Sequence, residues 1–209
     1  MTMKSVLLAT ALTLGATSAF AAEKYVLDAS HSQIVFTYNH LGFSTTTSMF
    51  SGFDGEIMLD EAEPANSSVS VSFPVKDMIT GWEPRTEHFM TDDFFGAEDG
   101  DMVTFESTGI EVTGEKTALI TGDLTMNDVT KSVVLDAKLN QMGEHPMAKK
   151  PWAGFDATTT VTAIAKPSSE KRALSFRKPT SRRMCDQTGI SCPTSAAIAI
   201  RRRPRSPRR

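Results

Sequence analysis

The chain has 209 residues and a formal net charge of −3, but the charge is unevenly spread. Up to Val161 there are 23 acidic and 9 basic residues, an excess that repels the phosphates of nucleic acid rather than binding them. Both cysteines, Cys185 and Cys192, lie beyond that point, so the acidic part excludes a disulfide scaffold and a cysteine metal centre.

Residues 1–21 read as a secretory signal peptide. Lys4 provides the positive start, residues 6–16 (V-L-L-A-T-A-L-T-L-G-A) the apolar stretch, and Ala19-Phe20-Ala21 the small-residue cleavage site. The apolar run is about half of the ~20 residues that a membrane span requires. The expectation is an exported protein of the bacterial periplasm, with its domain over residues 22–161. That length suits a single domain able to bury on the order of two-thirds of its unfolded surface.

Within residues 32–40, Ser32, Ile34, Phe36, Tyr38 and His40 share one parity; Gln33, Val35, Thr37 and Asn39 share the other. After a Gly- and Ser/Thr-rich connection, Phe53, Gly55, Ile57 and Leu59 alternate with Asp54, Glu56 and Met58. Period two with aromatic and β-branched residues marks half-buried strands. A polar turn with Pro64 leads to a third strand, where Val69, Val71, Phe73 and Val75 alternate with serines and Pro74 marks either an edge or the start of a departure. Residues 78–101 break the rhythm, and a short helix is predicted after Pro84, then a turn into Phe94-Phe95. Strand signals resume over 102–107 and 110–113, separated by Thr108-Gly109. Residues 118–126 and 131–140 form a hairpin about Asn127-Asp128, and 152–161 is a further strand. Short strands at about ten-residue spacing predict an all-β sandwich or up-and-down barrel.

His31-Ser32, His40-Leu41-Gly42-Phe43-Ser44, Phe50, Phe53 and Gly55 together are similar to the opening of the YceI-like proteins. Arg85, His88-Phe89 and Asp93-Phe94-Phe95 continue the resemblance in order. So do Thr104-Phe105-Glu106-Ser107, Gly122-Asp123-Leu124-Thr125, Val129-Thr130-Lys131 and Ala153-Gly154-Phe155. The resemblance implies an antiparallel, lipocalin-like eight-stranded barrel with one short helical insertion. It also implies a periplasmic carrier that holds a polyisoprenoid, such as an isoprenoid quinone, or a similar long-chain amphiphilic lipid in an apolar tunnel. A barrel of eight strands has an interior wide enough for side chains or for one narrow ligand.

If the alternating rows point inward, Ile34, Phe36, Tyr38, Phe53, Ile57, Val71 and Phe73 either line that tunnel or meet as packed core. Phe89, Phe94, Phe95 and Trp152 are candidates near its ends. His40, on the inward parity, is a core histidine or a head-group contact. Arg85 is the only arginine before residue 162, with His88 one helical turn away. It either pairs with a neighbouring acid or meets a polar head at the tunnel mouth. His31 and His40 have opposite parity, and no H-x-x-x-H or C-x-x-C spacing occurs, so no metal is expected. Without a triad-like or nucleophile-elbow pattern, the expectation is a binding protein with no cofactor beyond its lipid, rather than an enzyme. The alternatives are an enzyme acting on a bound lipid and a stress-related exported protein without one. Transient contact with a membrane is the one further partner this reading allows; the oligomeric state has no signature in the sequence.

From Thr162 onward there are 13 basic and 2 acidic residues and the periodicity stops. Such composition predicts a disordered basic tail over 162–209. The abrupt change is what a reading-frame slip in GC-rich DNA produces, which would replace the final alternating strand that the resemblance implies; the rival readings are a nucleic-acid-binding arm and a surface-binding basic tail. The barrel is then either left with an unpaired seam or filled in part by residues 195–200 (S-A-A-I-A-I).

Overall fold

The computed structural model describes residues 22–162 and 191–202. Its strands make one antiparallel sheet: β1 (Glu23–Leu27), β2 (Gln33–His40), β3 (Ser44–Phe50), β4 (Asp54–Leu59), β5 (Ser68–Pro74), β6 (Met78–Ile79), β7 (Met102–Gly114), β8 (Thr117–Met126), β9 (Val129–Glu144), β10 (Pro151–Thr162) and β11 (Ser191–Arg202). Three pairs behave as single bent strands. β1 and β2 both lie along β11, with Leu27 opposite Ile200 and Gln33 opposite Ala197. β4 and β3 follow them back, and β5 and β6 follow those in turn. Counted this way, eight strands succeed one another around a closed barrel, with β11 joining the last to the first.

The three bends fall side by side. The first is a turn in which His31 N–H donates to Asp28 O at 3.0 Å. The second is at Gly52, whose φ of +73° suits glycine, and where a Cβ would stand 2.0 Å from Asp77 Oδ2. The third is a 3-10 turn over Val75–Asp77, and Ser51 N–H donates to Asp77 O across the gap at 3.4 Å. Pro74 ends β5 there, as its missing N–H requires.

Beyond the bend the wall is incomplete. The β5–β7 ladder stops at Pro74–Met102, and β6 pairs only with β3. The chain leaves the sheet after β6, forms helix α1 (Glu83–Met90) with Pro84 in its first turn, and returns at β7. This insertion lies over the gap between β6 and β7, which defines the helix end of the barrel.

Several local expectations need revision. The Ser/Thr-rich connection after β2 is itself β3: Thr45, Thr46 and Thr47 are β-branched, and only residues 41–43 are needed for the tip. The two short runs after residue 102 are one strand, β7, with a bulge between Ser107 and Gly109. Asn127 and Asp128 do form a two-residue hairpin turn, both with positive φ (54° and 59°).

The tail expectation is corrected over 191–202. β11 pairs with β10 from Trp152–Arg201 to Thr162–Ser191, and Arg202 forms an ion pair with Glu23 on β1. The seam is therefore closed by a strand longer than residues 195–200, and the barrel does not lack its eighth strand. The A-A-I-A-I run has a period-two pattern of its own, which the arginine-rich flanks conceal. The signal peptide expected at 1–21 and residues 163–190 and 203–209 lie outside the described residues.

Candidate ligand-binding site

The inner rows of the barrel do two different things. On one wall, Tyr25 on β1, Ile57 on β4, Val71 and Phe73 on β5, and Val103 and Phe105 on β7 are buried against one another. Phe73 holds its ring 5.0 Å from Phe50 and 4.8 Å from Phe53. Phe53, Ile57, Val71 and Phe73 are thus packed core, and rings in contact on this scale leave no surface for a ligand.

The opposite wall differs. Ile120 and Leu124 on β8, Val133, Leu135 and Leu139 on β9, and Phe155 on β10 touch the core but are only half-buried. Register places them on the inner face: Ile120 lies across from Leu135, Phe155 across from Leu139, and the buried Ala137 and Ala157 share their parity. They keep apolar surface uncovered inside the barrel.

At the helix end the row continues along β2, where Ile34, Phe36 and Tyr38 share the inner face. Phe36 stacks on Phe50 at 5.3 Å and lies 6.4 Å from Tyr38. Tyr38 meets Phe89 of α1 edge-on at 5.6 Å, and Phe89 in turn contacts Phe94 at 4.9 Å and Phe95 at 6.1 Å. An aromatic path therefore leads from the core to the insertion, and every ring on it except Phe50 is half-buried.

Arg85 lies one turn before Phe89 on the same helix face. Its guanidinium carbon is 5.9 Å from the Trp82 ring centroid, and it forms no ion pair among the described residues. Its Nε is buried without a hydrogen-bond partner. The pairing of Arg85 with a neighbouring acid is therefore not what the structure shows. His88 stands about 100° further round the helix from Phe89. It is exposed, 3.8 Å from Asp93, with its ring edge-on to Phe94 at 4.9 Å.

Two other expected residues are displaced from the interior. His40 keeps the inward parity, but β2 runs on past its pairing with β11, which ends at Phe36, and His40 is exposed at the hairpin tip. Trp152 has the parity opposite to Ala153 and Phe155, and packs on His145 at 4.7 Å at the far end of the barrel. His40, His88 and Trp152 thus stand apart from the inner row of Ile34, Phe36, Tyr38 and Phe89 with Phe94 and Phe95 beside it.

Ser48 escaped the sequence reading. It sits on β3 across from Phe36, is 3 % exposed, and its hydroxyl has no hydrogen-bond partner. A hydroxyl residue within a Ser/Thr-rich run carries no signal of inward orientation; only register with Phe36 reveals it. Among the described residues no group of three or more His, Cys, Asp or Glu is placed to hold a metal ion, and no helix is long and apolar enough to cross a membrane.

A closed eight-stranded antiparallel barrel, solid along one wall and uncovered along the other, with an aromatic end under a single helix, defines a lipocalin-like barrel protein. The YceI-like domain matches residues 25–164, and the chain belongs to that family. It is similar to UPF0312 proteins of Ectopseudomonas mendocina (41 % identical over 146 residues, 67 % of this chain and 74 % of the relative) and Photorhabdus laumondii (40 % over 152 residues, 72 % and 76 %). Among solved structures it is similar to BcnA of Burkholderia cenocepacia, with a TM-score of 0.64 and 18 % identity over 83 % of this chain and 98 % of the other. A polyisoprenoid-binding domain from Saccharophagus degradans gives a TM-score of 0.56 and 14 % identity over 86 % and 98 %. At such identities the likeness to the solved structures is one of fold.

Proposed function

We propose that the protein is a periplasmic binding or carrier protein that holds a polyisoprenoid, such as an isoprenoid quinone, or a similar long-chain amphiphile inside its barrel. The observation that carries this reading is the uncovered apolar wall of β8–β10, continued to the helix end by Phe36, Tyr38 and Phe89. The polyisoprenoid-binding domain that shares the fold supports the ligand class, and the signal-peptide pattern of residues 1–21 supports the periplasm.

Burial alone suffices energetically. One five-carbon isoprene unit, at ~0.8 kcal/mol per buried carbon, contributes about 4 kcal/mol gross. Association costs about 4–15 kcal/mol, so three to five buried units reach micromolar affinity when that cost is near its lower end. No catalytic step is part of this reading. Leu41 and Phe43 at the β2–β3 tip are 67 % and 88 % exposed, and Trp82 before α1 is 61 % exposed. All three are at the helix end, where apolar side chains in water suit brief contact with a bilayer from which a lipid is taken.

Titration of lipid-stripped protein with decylubiquinone, followed by quenching of Trp82 fluorescence in a Trp152→Phe background, tests the reading. Saturable quenching at one site per chain is expected. Quenching that rises linearly with quinone, without saturation, counts against it.

A further inference from the structure

We propose that the polar head of the bound chain lies beneath helix α1, where Arg85 Nε and Ser48 Oγ both donate hydrogen bonds to an oxygen acceptor on it. This rests on the lipid-binding reading above and says which end of the barrel takes the head and what chemistry that head carries.

Both atoms are buried and neither has a partner. A buried donor left unpaired costs free energy that an alanine or methionine of similar shape would not, so each is explained by a partner that arrives with the ligand. Ser48 is on the inward parity of β3, opposite Phe36 and next but one to the buried Phe50. Arg85 belongs to an insertion rich in acids, including Glu83, Glu87, Asp92 and Asp93, yet none of them pairs with it.

The segments that carry the two atoms meet at the helix end of the barrel. The β3–β6 ladder pairs Phe50 with Met78 and Met49, one residue on from Ser48 in β3, with Ile79, and Thr80 follows directly after β6. Thr80 is itself buried, and its hydroxyl lies 2.8 Å from that of Thr86, the neighbour of Arg85 in α1. From the other side, Phe89, on the Arg85 face of the helix, closes on Tyr38, which lies beside Phe36. Strand and helix thus place one hydroxyl and one guanidinium N–H at the helix end, among aromatic rings. Arginine only donates, so what the site lacks is an acceptor. Carbonyl, carboxylate and phosphate oxygens share that chemistry; a plain hydrocarbon does not.

The test uses lipid-stripped full-length protein and three probes of matched chain, dodecanoate, 2-tridecanone and dodecane, titrated by calorimetry. Dodecanoate or 2-tridecanone is expected to bind at least about tenfold more tightly than dodecane, the scale of a charge-assisted hydrogen bond. Ser48→Ala and Arg85→Met are each expected to remove most of that advantage and to leave dodecane binding within about twofold. A larger loss for dodecanoate than for the ketone in Arg85→Met identifies an anionic head, and equal losses a neutral carbonyl. Ser48→Ala, which deletes an unpaired hydroxyl, is also expected to melt no lower than the parent when both are ligand-free. If all three probes bind the parent equally, or folded Ser48→Ala keeps the full preference, the head-group assignment falls while the lipid reading stands. If none binds, both fall.

Discussion

Phe89 stands edge-on to Tyr38, with ring centroids 5.6 Å apart and planes at 84°. This contact ties α1 to β2 and so holds the insertion over the gap that the β5–β7 and β3–β6 ladders leave. Phe89→Ala removes a half-buried ring together with an edge-to-face pair, and the expected cost is about 2 kcal/mol in urea unfolding. It should also speed ligand release, since the helix end is loosened; stopped-flow displacement of bound decylubiquinone measures that directly.

Gly122 on β8 leaves room for the Phe105 ring. A Cβ there would lie 2.4 Å from Phe105 Cζ and 2.6 Å from Glu106 O. The ring can shift but the backbone oxygen cannot, so Gly122→Ala is expected to destabilise by about 1–3 kcal/mol. Adding Phe105→Leu should recover only part of the loss, which a double-mutant cycle will show.

The first bend carries a pH dependence. Asp28 accepts from Ser30 N–H at 3.2 Å and from Ser30 Oγ at 2.7 Å, and lies 2.7 Å from His31 Nδ1. Burial pushes its carboxyl up, but these hydrogen bonds and the charge of His31 outweigh burial and hold it below the usual carboxylate range. The folded chain therefore binds this proton less readily than the unfolded one. Its contribution is complete above the unfolded carboxylate value and is lost as pH falls through the lowered folded value. Asp28→Asn should lower the urea midpoint at neutral pH, and the difference from the parent should shrink as the solution is acidified below the ordinary carboxylate range.

Leu41 and Phe43 project from a hairpin tip stiffened by Gly42 N–H donating to Asn39 Oδ1 at 2.6 Å. If this tip meets the bilayer, Leu41→Asp with Phe43→Asp should slow transfer of a quinone from vesicles severalfold. Its affinity for decylubiquinone added from solution should stay the same, because neither residue touches the interior rows.

β11 closes the barrel, so its removal has a specific signature. A chain ending at residue 190 exposes the edges of β1, β2 and β10. Amide exchange should quicken along residues 152–162, and the truncated chain should aggregate on warming at temperatures where the full chain stays monodisperse.

Alternation made β2, β4, β5, β9 and β10 legible, because a half-buried strand writes its two faces into the chain. It hid β3, whose Ser/Thr run lacks apolar contrast, and β11, whose short alternating run sits among arginines. Parity also says which side a residue takes but not what it meets there. Phe53, Ile57, Val71 and Phe73 face inward as read, yet bends at Asp28, Gly52 and Val75 bring their wall together into packed core. Leu135 and Phe155 have the same kind of pattern and stay half-covered. His40 shows a second limit: inward parity does not ensure burial past the point where the neighbouring strand stops pairing. Arg85 was conspicuous as a lone arginine, whereas Ser48 became visible only through its register with Phe36.

The most direct measurement is native mass spectrometry of the protein recovered from the cells that make it, without detergent or added lipid, beside an organic extract of the same sample. The account expects the chain mass plus one long-chain isoprenoid or similar amphiphile, released on unfolding and recovered in the extract. A bare polypeptide mass, with no uptake after incubation with vesicles containing isoprenoid quinone, would contradict it.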